Sequence, residues 1–118
     1  MIWSRSQAPE RPPIDWDLNE RLFGGQREMG ERFLRRFIEL NTDTMEELRA
    51  AHAALDREAI RALAHKIKGG SGSVGAVGLN ESAAALEIAA GSPTPWEEVE
   101  AALALVAKDW ETLRHHGD

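Results

Sequence analysis

The 118-residue chain has no cysteine and no tyrosine, and only three phenylalanines. Without cysteine it can form no disulfide, no thiolate nucleophile and no Cys-based zinc site. Cysteine usage therefore says nothing about redox compartment. Positive charge is also in short supply: 14 Lys and Arg stand against 20 Asp and Glu, a formal charge of −6. A broad nucleic-acid surface is built from clustered Lys and Arg that displace counterions from phosphates, so no nucleic-acid partner is expected. No apolar run approaches the length that spans a bilayer, and the opening MIWSRSQAPERPP lacks the apolar segment of a secretory signal. No membrane association is expected, and the cytoplasm is the expected location.

What the chain does contain is helix-forming material. Apolar residues make up 42% and charged residues 29%, with Ala, Leu and Glu dominant, and the length suits one domain. Pro9, Pro12 and Pro13 fix an extended lead-in, so residues 1–13 are expected to form a mobile arm and residues 14–118 the domain. Asp15 is a candidate N-cap for a short helix carrying Trp16, Leu18, Leu22 and Phe23, stopped by Gly24-Gly25. Met29, Phe33, Phe37 and Leu40 recur at helical spacing and predict an amphipathic helix from Gln26 to about Leu40. Asn41 to Thr44 then supply capping-type residues, and Asp43 with Glu46 has capping-box spacing. A further helix is expected from there to about Ala54, with Met45, Leu48 and Leu55 on its stripe. His52 falls on that stripe too and reads as a packed, hydrogen-bonded residue.

Asp56 caps the next helix, whose seam is Ile60, Leu63 and Ile67. Leu79, Ala83, Leu86 and Ala90 form another seam, closed by Gly91. The clearest pattern is the last: Trp96, Val99, Leu103, Val106, Trp110 and Leu113 alternate by three and four without a miss. The expected fold is all-α, an antiparallel up-down four-helix bundle with an additional short N-terminal helix.

The stretch HKIKGGSGSVGA, residues 65–76, places four glycines within seven positions. It admits three readings: a phosphate-cradling loop, a flexible turn, or a helical surface cleared around a reactive histidine. The first fails on context, because a P-loop lysine follows its glycines and the loop opens a helix after a strand. A dinucleotide fingerprint fails for want of a βαβ unit. Each residue of a helix advances about 100°, so His65 lies about 140° from Ile60 and faces water, while Ser71 returns to the seam. Arg57, Arg61 and Lys68 share or flank the outer sector, and Gly69 and Gly72 lie one and two turns beyond His65. Residues 56–68 carry four basic and two acidic side chains, a local +2 on an acidic molecule, which would steer toward an acidic partner pocket. If the helix continues through the glycines they bare the backbone beside His65 and Lys68; if it ends at Gly69 they make a turn.

The run AHKIKGGSGSVGA from Ala64, with Leu79 and Leu86-Glu87 downstream, resembles the histidine-containing phosphotransfer (HPt) domain, whose pattern is AHxLKGxSxxxGAxxL followed by LE. The upstream LFGGQREMGERFLRRF is also similar to the way such domains begin. Lys66 stands for a more usual Thr or Ser, Ile67 for Leu, and Gly70 makes a double glycine; none removes a reacting group. The resemblance implies that His65 accepts and donates a phosphoryl group, that Lys68 stabilises its charge, and that Gly69 keeps the approach open; Ser71 matches a family position near the site, and Arg61 and Gly72, from their places on the helix, are expected in support. It also implies a helix running through Gly69. From the following helix, Glu87 is a candidate neighbour of the phosphoryl group.

An imidazole in water titrates near pH 6.5, so near neutrality much of it has a free ring lone pair. The expected chemistry is in-line transfer in which Nε2, assigned by family analogy, attacks an aspartyl phosphate of a response-regulator receiver domain. The expected partners are such receivers, including the receiver of a hybrid sensor kinase. The chain itself is expected to hold no cofactor and no metal, the Mg²⁺ sitting in the receiver's acidic pocket, and no ATP-dependent kinase activity of its own is expected. His115-His116 is expected to be a solvated helix end. Two rival readings are a non-catalytic adaptor that binds a signalling partner through the same face, and a homodimer formed through the tryptophans of the last helix; a monomer is expected.

Overall fold

A computed structural model describes residues 12–116, and among these residues every regular element is helical. The elements are α1 (Trp16–Leu22), α2 (Arg27–Ala53), α3 (Arg57–Gly72), α4 (Val77–Ala90) and α5 (Trp96–His116). Helices α2 to α5 run antiparallel in succession and α1 crosses one end, which is the expected bundle with its short extra helix. Residues 1–11 of the predicted arm, with Pro9, lie outside the described residues, as does Trp3. Pro12 and Pro13 pack against Gly78 at the start of α4.

Asp15 caps α1 by accepting the Leu18 amide at 3.0 Å. Gly24 and Gly25 end that helix with φ of 66° and 82°, a backbone that glycine adopts without steric penalty. Asn19 then stitches α1 to the rest: it is fully buried, and its Nδ2 donates to the carbonyls of Gly30 (3.2 Å) and Val74 (2.8 Å). Gly75, at φ 76°, closes the same corner, where a Cβ would stand 3.1 Å from the Asn19 amide nitrogen.

The predicted break at residues 41–44 is absent, and α2 is one helix of 27 residues. Its capping-type side chains turn back onto their own helix: Asn41 Nδ2 donates to the Phe37 carbonyl at 2.8 Å and Thr42 Oγ1 to the Ile38 carbonyl at 3.1 Å. That back-bonding is the alternative such residues have to capping. The buried face of α2 is also rotated from the predicted one. Leu34, Phe37, Ile38, Met45 and Leu48 are buried, whereas Met29, Phe33 and Leu40 are exposed on one flank. Leu55, placed on the stripe by spacing, lies in the α2–α3 turn with φ 56° and is exposed.

His52 packs as expected, stacking on Trp96 at 5.9 Å and bonding through Nε2 to Glu100 at 2.8 Å. Ile60, Ala64 and Ile67 of α3, Leu79, Ala83 and Leu86 of α4, and Val99, Val106, Trp110 and Leu113 of α5 complete one core. The small inward residues Ala64, Ser71, Ser82 and Ala83 line α3 and α4, which share the most extensive packing of the described helices. That packing sets the register of the site.

Candidate functional site

Helix α3 starts at the Asp56 cap, whose carboxylate accepts the Ala59 amide at 3.0 Å. Ile60, Ala64, Ile67 and Ser71 face inward, so His65 is driven outward, and its side chain is 68% exposed. The open question about the glycines is resolved in favour of a continuing helix, which runs to Gly72. Each glycine there has its own reason. At Gly69 a Cβ would meet nothing within 4 Å, at Gly70 it would meet Phe37 Cε1 at 2.7 Å, and at Gly72 it would meet Asn80 Nδ2 at 3.1 Å. A methyl at Gly70 would have to displace the Phe37 ring, and one at Gly72 would press on the Asn80 amide. Gly69 leaves open space beside the histidine.

Glu87 of α4 reaches across to both candidate reacting residues. Its Oε2 lies 2.8 Å from His65 Nδ1, and its Oε1 lies 2.8 Å from Lys68 Nζ. The bond to Lys68, then the bond to His65, hold the Glu87 carboxyl below the ordinary glutamate range, so it is ionised at neutral pH and can only accept. Nδ1 must therefore carry the proton in this contact, which leaves the lone pair of a neutral ring on Nε2. Lys68 is more sheltered than His65, at 38% exposed, and Glu87 more sheltered still, at 20%.

The other predicted residues take varied places. Ser71 is fully buried and donates from Oγ to the Lys68 carbonyl at 3.1 Å, as its inward position predicted. Arg61 lies one turn before His65 with its aliphatic stem across Gly91, where a Cβ would come within 2.9 Å of Arg61 Cδ. Arg57 does not stand on the open face: its guanidinium is bound by the carbonyls of Ser92 (2.6 Å) and Thr94 in the α4–α5 connection. Asn80, which sequence reasoning passed over, donates from Nδ2 to the Lys68 carbonyl at 2.8 Å. The signal available for it was its place on one face of α4 with Ala84 and Glu87, four and seven positions on.

This is a helical bundle that presents the His65 imidazole to solvent from the middle of a helix, with the Glu87 carboxylate holding the ring from behind. Residues 32–116 match the family model described as "Hpt domain", which covers most of the chain. The chain belongs to the Hpt domain family, and it is a histidine phosphotransfer protein of phosphorelays. Among solved structures it is similar to histidine-containing phosphotransfer protein B (HptB) from Pseudomonas aeruginosa PAO1, with a TM-score of 0.73 and 24% identity over 92% of this chain and 93% of that one. At that identity the likeness speaks for the fold. No curated protein gave a match.

Proposed function

We propose that His65 is the phosphoryl carrier, taking the group from the aspartyl phosphate of one receiver domain and giving it to the aspartate of another. The observation that carries this reading is the 2.8 Å contact between His65 Nδ1 and Glu87 Oε2, on a ring whose other nitrogen makes no bond among the described residues. Nε2 attacks phosphorus in line, the N–P bond forms, and the P–O bond to the receiver breaks with its electron pair leaving on the aspartate carboxylate. Nδ1 keeps its proton throughout. The positive charge that develops on the ring is met by Glu87, and Lys68 offsets the charge of the migrating group. Arg61 adds positive charge one turn away. The Mg²⁺ such transfers use belongs to the receiver's acidic pocket.

Met29, Phe33 and Leu40 are exposed along one flank of α2, and this apolar strip is a candidate receiver contact. Lys66, exposed on α3 next to His65 in the chain, adds charge suited to an acidic receiver face. Among the described residues no helix is long and apolar enough to cross a membrane, and we place the relay in the cytoplasm, where receivers work.

The test is incubation with radiolabelled phosphorylated receivers. Acid-labile, base-stable label should appear on this chain and should be lost in His65→Gln, with the helical circular dichroism unchanged. A protein that binds receivers yet never takes label would be an adaptor, and the carrier reading would fall.

A further inference from the structure

We propose that Asn80 is a positioning residue of this site, acting through the backbone of Lys68; the proposal rests on the roles given to His65 and Lys68 above. The turn after His65 contains Gly69, Gly70 and Gly72, and glycine is the weakest helix former after proline. That same turn must hold the stem of Lys68 steady while its ammonium meets Glu87.

Two side chains brace it at one atom. Ser71 Oγ donates to the Lys68 carbonyl from within α3, and Asn80 Nδ2 donates to it from α4. Gly72 makes the second bond possible, because a Cβ at that position would press on the Asn80 amide nitrogen from 3.1 Å. Asn80 and Glu87 are two helical turns apart on one face of α4. Helix α4 therefore grips Lys68 twice, at its backbone through Asn80 and at its ammonium through Glu87. With the first grip gone, α4 holds the Lys68 backbone only through the flexible end of the lysine itself, while the packing of Phe37 on Gly70 remains. Small displacements of a positioned group cost rate steeply.

A plain interhelical hydrogen bond would give stability and nothing more, so the test reads the site as well as the fold. In Asn80→Ala, the amides of residues 69–73 should exchange with deuterium about tenfold faster, with residues 60–67 unchanged. Phosphotransfer from a saturating phosphorylated receiver should fall about tenfold, and this fall should vanish in a Lys68→Ala background. Gly72→Ala, which displaces the amide while leaving Asn80 in place, should show the same pattern. Unchanged exchange, faster exchange with unchanged transfer, or an equal fall in both backgrounds would each overturn the proposal. A wild-type protein that takes no label would instead sink the carrier reading. Asn80 would then be judged by ¹⁵N NMR of the Lys68 ammonium, which should lose its Glu87 contact in Asn80→Ala and would refute the proposal by keeping it.

Discussion

Glu87 links His65 and Lys68, and the sign of its pH dependence follows from these partners. Its carboxyl titrates below the ordinary value of 4.5, chiefly because of the bond to Lys68 and next because of the bond to His65. A depressed carboxylate contributes its full share above the unfolded value and loses it as pH falls through the folded one. NMR titration should therefore show the Lys68 ammonium signal moving together with the Glu87 carboxyl in a step below pH 4.5. Glu87→Gln keeps an acceptor for Nδ1 but removes the charge, and transfer should slow by about tenfold, the range typical of residues that orient an imidazole from behind. The glycines give a paired prediction. Gly69→Ala adds its methyl to open space and should stabilise the protein by up to about 1 kcal/mol in urea denaturation, while slowing transfer because the methyl stands beside His65. Gly70→Ala drives a methyl into the Phe37 ring, and overpacking of about 1–3 kcal/mol should outweigh the helix gain.

For the helices, spacing located α3, α4 and α5 and their inward residues, because each carries a single apolar stripe. It failed in α2, which has apolar residues at 29, 33, 34, 37, 38 and 40, enough for two overlapping stripes. Only the packing against α1 and α3 selects the face with Leu34 and Ile38. The false break at residues 41–44 arose because Asn and Thr side chains serve equally to cap a helix or to bond back along one. Stability measurements distinguish these cases. Asp43 lies mid-helix and exposed, so Asp43→Ala should stay within about 0.5 kcal/mol of the parent. Asp56 is a true cap, so Asp56→Ala should cost about 1 kcal/mol. The site divides in the same way. His65 and Lys68 were legible because they sit in one local motif. The contributions of Asn80 and Glu87, 12 and 22 positions from their partners, depend on the register between α3 and α4, which no local pattern encodes.

For the molecule as a whole, the tryptophans of α5 are already engaged within the bundle. Trp110, Val99, Val106 and Leu113 are buried, and Trp96 is packed on His52. A dimer built on the tryptophans of this helix would need them on the outside. Sedimentation across a concentration series is expected to return the monomer mass of 13.0 kDa; a rise toward twice that value would restore the dimer. The acidic molecule with a basic patch beside His65 should also meet its acidic partners more slowly as salt is added, since screening shortens the reach of that attraction. Stopped-flow association rates at rising ionic strength measure this, and a flat response would remove steering from the account. The openness of His65 bears on memory as well as on encounter. On the proposed carrier role, a phosphoryl group parked on so exposed a ring is bathed in water from the moment it arrives, with no lid among the described residues. How long the message keeps is left to the phosphoramidate bond itself, and to a Glu87 carboxylate already engaged by Nδ1 and by Lys68.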